Sequence, residues 1–176
     1  MDQDLTDRLM TRFQTLDGDG DQYLTGEDFD GEVTRILQAT KVPESAPRAR
    51  LLRSAYHAYW WALLDNLDRD KDGKISFDEY AGIVHGMDKF KAFAKARADA
   101  VDRFTDLDGD GWITHDDFMA VMLAARFDKQ ATQDTFDVMD PAGEGRFAAG
   151  KFAEAIMEFY DTVGAAAITQ RLVTSK

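Results

Sequence analysis

No cysteine occurs among the 176 residues, so disulfides and thiolate-held zinc or iron–sulfur centres are excluded, and any bound metal must rely on harder donors. Long apolar runs are also missing. None approaches the roughly 18 to 20 residues that span a bilayer, and the opening MDQDLTDRLM is acidic where a secretory leader would be basic, so a soluble, cytoplasmic chain is expected. Basic side chains are in the minority, 21 against 33 acidic ones, for a formal charge of −12. That balance repels nucleic acid and anionic membranes and attracts multivalent cations. The three histidines, His57, His85 and His115, lie beside no serine–glycine elbow or glycine-rich phosphate loop, so no enzymatic constellation is legible.

What the chain does contain is a four-fold internal repeat of acidic loops. DRDKDGKISFDE, Asp68 to Glu79, matches D-x-[DN]-x-[DN]-G-x5-E at every specified position. DLDGDGWITHDD, Asp106 to Asp117, departs only at its twelfth residue. The opening loop, Asp17 to Asp28, departs at Gln22 and Asp28, and DPAGEGRFAAGK, Asp140 to Lys151, keeps the frame while losing most of its acids. The eighth position is apolar in all four (Leu24, Ile75, Ile113, Phe147), and an aromatic follows the twelfth (Phe29, Tyr80, Phe118, Phe152).

This spacing suits calcium, which takes about 6 to 8 oxygens at roughly 2.3–2.6 Å. A tight loop lets side chains one, three and five converge while residue seven supplies a backbone carbonyl and residue twelve enters from the next helix. Glycine at position six turns the chain without a Cβ clash, as Gly73 and Gly111 can. Glu79 is long enough to grip an ion with both oxygens. Asp28 and Asp117 are one methylene shorter, so either their helices move inward or coordination falls to six and magnesium becomes acceptable at the first and third loops. In the first loop, a register starting at Asp19 would place Tyr23 fifth and Gly26 eighth, so the Asp17 register is preferred. Gln22 must then adopt a left-handed conformation at about 1–2 kcal/mol. In the fourth loop Ala142 replaces the third ligand and Lys151 the twelfth, and no metal is expected there.

Helical periodicity flanks each loop. Leu5, Leu9, Phe13 and Leu16 precede the first, and Phe29, Val33, Ile36 and Leu37 follow it. Leu52, Tyr56, Tyr59, Trp60, Leu63, Leu64 and Leu67 lead into the second, with Tyr80, Ile83, Val84 and Met87 beyond. The third is entered by Phe90, Phe93, Val101 and Phe104 and left by Phe118, Val121 and Met122. The positions four and one before the first ligand are apolar in three units but are Asp102 and Thr105 in the third, which points to a rotated or irregular helix. Helix–loop–helix units bury their apolar faces in pairs. The expected fold is therefore all-α: four units in two paired lobes, residues 1–87 and 88–176, forming one compact globule. Pro43 and Pro47 interrupt the longest linker, and Ala165, Ile168 and Leu172 suggest an amphipathic tail.

Four such units, a long first spacing, an aromatic-rich interior and one degenerate unit resemble the sarcoplasmic calcium-binding, calerythrin-like family of the EF-hand superfamily. The resemblance spans nearly the whole chain, although only the loops carry specific motifs. It implies a monomeric intracellular calcium binder acting as a buffer or store. Carried over by motif position, the ligands are Asp17, Asp19, Asp21, Tyr23 and Asp28; Asp68, Asp70, Asp72, Lys74 and Glu79; and Asp106, Asp108, Asp110, Trp112 and Asp117. Tyr23, Lys74 and Trp112 would act through their carbonyls, and Thr25, Ser76 and Thr114 would ligate directly or through water. His115, tenth in its loop, is expected to face solvent. A photoprotein-like pocket around Tyr56, His57, Trp60 and Trp61 is the weaker reading, because aromatics at helical spacing usually form core. The nearer alternative is a sensor that opens a groove for a protein target, a role that seven methionines would suit.

Overall fold

The computed structural model describes residues 3–82 and 87–160. The expectations for Ile83, Val84, His85 and the Ala165–Ile168–Leu172 tail fall outside these residues, as do those for the side chains of Leu5, Met87 and Phe90. Helices α1 (Gln3–Leu16) and α2 (Gly26–Thr40) flank the first loop. Helices α3 (Pro47–Leu67) and α4 (Phe77–Tyr80) flank the second, α5 (Met87–Thr105) and α6 (His115–Ala124) the third, and α7 (Lys129–Met139) and α8 (Lys151–Tyr160) the fourth. The linker behaves as its prolines require. Helix α2 stops at a left-handed Lys41 (φ 56°), and α3 begins with Pro47 in its first turn, where the missing N–H costs nothing.

Each loop contributes a very short strand, and the strands join the loops in pairs. Strand β1 (Tyr23–Leu24) runs antiparallel to β2 (Ile75–Ser76), and β3 (Trp112–Thr114) to β4 (Arg146–Ala148). The register sets eighth positions opposite each other, Leu24 with Ile75 and Ile113 with Phe147. All four are buried, so the periodic apolar position is the one that pins paired loops together. The aromatics that follow the twelfth positions are buried as well. In the second pair, Phe118 meets Phe136, Phe147 and Phe152 at ring-centroid separations of 5.0–5.8 Å.

The two pairs share one core. Helix α3 lies against α2 and α5, α2 against α6, and α5 against α8. That explains why α3 is apolar on several faces: Tyr56, Tyr59, Trp60 and Leu63 are all buried, while Trp61 and His57 point outward. Tyr56 and Trp60 thus serve as core, packed among neighbours such as Phe29 and Arg97.

The polar departure before the third loop has a structural cause, and it is not an irregular helix. Helix α5 runs unbroken to Thr105, whose hydroxyl donates to the Val101 carbonyl at 2.8 Å. Asp102, only 3% exposed, accepts hydrogen bonds from the backbone N–H groups of Gly150 (2.7 Å) and Ala153 (3.2 Å). The other three loops carry Thr or Ser at position nine to cap their exit helix, whereas the fourth carries Ala148, and α8 starts only at Lys151. Asp102 supplies that missing cap from another helix. Burial pushes its carboxyl pKa up, against the opposing pull of the N–H groups of Gly150, Ala153 and Phe152. By the pattern of its sister units, Asp102→Leu would look like an improvement. The contacts instead predict a loss of about 2–4 kcal/mol, since buried donors lose their acceptor. Urea denaturation reads this directly, and a cost below about 0.5 kcal/mol would refute the capping role.

Candidate metal centre

All four loops fold alike, because the first aspartate organises each from within. Its carboxylate accepts the sixth residue's N–H: Gln22 to Asp17 (3.0 Å), Gly73 to Asp68 (3.1 Å), Gly111 to Asp106 (3.0 Å) and Gly145 to Asp140 (2.7 Å). The sixth residue is left-handed in every case, with φ of 72°, 82°, 88° and 76°. Gln22 therefore takes the strained conformation that the Asp17 register demands, at about 1–2 kcal/mol relative to glycine. Position four turns the same way, through Gly20, Gly109 and Gly143 but through Lys71 in the second loop.

Three groups of carboxylates come within 4.8 Å of one another, an arrangement that costs repulsion unless a cation neutralises it: Asp17, Asp19 and Asp28; Asp68, Asp70 and Asp72; Asp106, Asp108 and Asp110. Asp21, Glu79 and Asp117 stand outside these groups. Asp21 instead faces Lys74 of the paired loop, 3.8 Å away. The N–H groups of Tyr23, Lys74 and Trp112 donate to Asp21, Asp72 and Asp110 at 2.8–2.9 Å, which fixes the peptides around position seven. Among the described residues the fourth loop forms no such group. Asp140 is bound by Glu144 and Gly145, and Lys151 is exposed.

The twelfth positions differ in a way their side-chain lengths alone did not foretell. Glu79 spans its loop, taking the Arg69 N–H on Oε1 (3.0 Å) and the Ser76 N–H and hydroxyl on Oε2 (2.9 and 2.8 Å). Burial opposes its charge, but these hydrogen bonds outweigh burial and hold the carboxyl below its usual range. Asp28 makes the same span one methylene shorter, to the Gly18 N–H (2.7 Å) and to Thr25 (2.7 and 2.9 Å). It reaches because position two is glycine: a Cβ on Gly18 would stand 3.1 Å from Asp28 Oδ1. The third loop has Leu107 there, and among the described residues Asp117 bonds to Thr114 without spanning its loop. In the first loop the arm has been drawn in, and in the third it has not. Thr25, Ser76 and Thr114 all donate their hydroxyls to the twelfth carboxylate, Ser76 and Thr114 also accept its backbone N–H as helix caps, and direct ligation would require the hydroxyl bond to be given up.

His115 is less open than its loop position suggested. Its side chain is 38% exposed, with Nε2 at 2.8 Å from Gln133 Oε1 and the ring edge-on to Phe136. The contacts with Gln133 and Asp116 raise its pKa.

These loops carry the hard-oxygen donors and geometry that calcium takes. Among the described residues no helix is long and apolar enough to cross a membrane. Residues 6–84, spanning the first two loops, match the EF-hand domain pair family. Calerythrin from Saccharopolyspora erythraea is 23% identical over 161 residues, covering 88% of this chain and 91% of calerythrin. A Streptomyces coelicolor calcium-binding protein, solved in connection with prokaryotic calcium-mediated regulation, superposes with a TM-score of 0.76 at 25% identity, covering 89% of this chain and 97% of that one. The sarcoplasmic calcium-binding protein of amphioxus, at 17% identity, shares the fold over the full length of both chains with a TM-score of 0.74. Residues 6–84 thus match an EF-hand domain pair, and the chain as a whole is similar in sequence to calerythrin and in fold to the amphioxus sarcoplasmic calcium-binding protein.

Proposed function

We propose that the chain binds three calcium ions and acts as a calcium buffer or store rather than as a catalyst. The observation that carries this reading is the set of three carboxylate groups on pre-folded loops, beside a fourth loop that keeps the fold and lacks the acids at positions three and twelve. The assigned ligands are Asp17, Asp19, Asp21, Asp28 and the Tyr23 carbonyl; Asp68, Asp70, Asp72, Glu79 and the Lys74 carbonyl; and Asp106, Asp108, Asp110, Asp117 and the Trp112 carbonyl. Residues 1–87 and 88–176 are the two functional pairs. The second loop, with glycine at six and glutamate at twelve, is the most calcium-selective, and the third, with its arm not drawn in, is the most tolerant of magnesium.

Calorimetric titration of the parent should give three ions per chain. Glu79→Gln should remove the tightest phase, because it deletes a charge and one of two gripping oxygens. Four ions, or a tightest phase that survives Glu79→Gln, would overturn the assignment. The Streptomyces coelicolor neighbour and its link to regulation favour a second reading, a sensor with a protein target. Strong apolar-dye binding that appears only with calcium would select the sensor, and calcium-driven compaction without dye binding the buffer.

A further inference from the structure

Each pair of units sends an arginine to a loop of the other, and the two contacts correspond. Arg126, in the connection leaving α6, donates from a terminal guanidinium nitrogen to the carbonyl of Gly18 at 2.7 Å, with the carbonyl of Asp17 at 3.5 Å. Arg48, in the first turn of α3, donates from its own terminal nitrogen to the carbonyl of Leu107, with the carbonyl of Asp106 at 3.4 Å. The acceptors are positions one and two of the first loop and positions one and two of the third. An arginine from the second pair thus holds the entrance of the first loop, and an arginine from the first pair holds the entrance of the third. We propose that Arg48 and Arg126 form a reciprocal latch that couples ion occupancy of the first loop to that of the third, a proposal that rests on the calcium reading above.

The connections give the latch leverage. Gly18 is gripped on both sides of its Cα, its carbonyl accepting from Arg126 and its N–H donating to the twelfth ligand Asp28. An ion that pulls Asp17 and Asp28 inward therefore moves the peptide on which Arg126 rests. Arg126 itself follows α6, the helix that carries Asp117 of the third loop at its start, and its left-handed φ of 66° fixes the exit from that helix. Helix α2, bearing Asp28, packs on α6, and Arg35 of α2 donates to the carbonyl of Ala124, the last residue of α6, at 3.1 Å. The carbonyls of positions one and two are not among the oxygens an EF-hand loop offers to its ion, so latch and ion do not compete for the same atom. Arg48 and Arg126 are positioning residues: they constrain the loops without touching the ion. Planar donors on fixed carbonyls suit this better than lysine, whose ammonium has no fixed fork.

The test uses the full chain and calcium alone. Two-dimensional 15N–1H NMR follows the amides of Gln22 and Gly111, which donate to Asp17 and Asp106 and so report the two loops separately. Asp108→Ala, which cripples the third loop, should weaken calcium binding at the first by at least about fivefold, and Asp19→Ala should weaken the third by the same factor, since coupling between sites is reciprocal. In an Arg48→Gln, Arg126→Gln background the factor should fall below about two. A merely stabilising role would shift the melting temperature and leave the factor unchanged. An unchanged factor, or no coupling in the parent, overturns the latch while leaving the calcium reading intact. Amides that fail to respond to calcium in the parent overturn both.

Discussion

Stripping calcium from the saturated protein with a chelator should lower its melting temperature by about 15–30 °C. Each intact loop carries four acidic side chains at ligand positions, so three loops commit 12 of the chain's 33 acidic residues to ion sites. Three ions would bring the formal charge from −12 to −6. Binding confined to the folded state adds about 2.7 kcal/mol per site when free ion is a hundredfold above the dissociation constant, or about 8 kcal/mol for three independent sites. For a chain of this length each kcal/mol is worth roughly 2–4 °C. The total rivals the whole stability of a typical domain, so apo protein should be loosened and calcium should compact it. Thermal circular dichroism in chelator and in calcium measures the shift. Equal melting temperatures would show that folding and ion binding are uncoupled.

The loops were legible because calcium chemistry writes itself into residue type and spacing. The register from Asp17, the left-handed Gln22, the buried eighth positions and the helix break before Pro47 all follow from local rules about turns, periodicity and proline. What sequence could not supply was partnership across long separations. The polar Asp102 was visible as an anomaly, but its reason lies about 50 residues away in the uncapped start of α8. Asp28 and Asp117 look equivalent in sequence, yet glycine or leucine at position two decides which one reaches across its loop. Arg48, in the first turn of α3, and Arg126, just beyond α6, match no motif, so only the packing of α2 on α6 and α3 on α5 reveals what they hold.

Where the two pairs meet, the core is not wholly apolar, and that gives the other large expected effect. Glu32 of α2 is 1% exposed. Its Oε1 accepts the Tyr56 hydroxyl at 2.8 Å and lies 3.7 Å from the buried guanidinium of Arg12. Arg97 of α5 stacks over both Tyr56 and Tyr59, at 5.2 and 5.0 Å from their ring centroids, and Arg12 lies over Phe127 at 5.2 Å. Burial first, and then the Glu32 charge, push the Tyr56 hydroxyl upward, so it stays a donor throughout the neutral range. A guanidinium buried beside an aromatic face, as Arg12 is, is tolerable only with an anion close by, and Glu32 stands 3.7 Å from it. Glu32→Ala should therefore cost about 3–5 kcal/mol, the loss found when one partner of a buried charge pair is removed. Tyr56→Phe removes one donor and keeps the charges balanced, so its cost should be about 1–3 kcal/mol. The two changes should combine non-additively, by at least about 0.5 kcal/mol, because both act on the same carboxylate. Urea denaturation of the calcium-saturated protein gives all three values. A Glu32→Ala cost under about 1 kcal/mol would mean that Arg12 finds other compensation and that this polar seam is not what joins the two pairs.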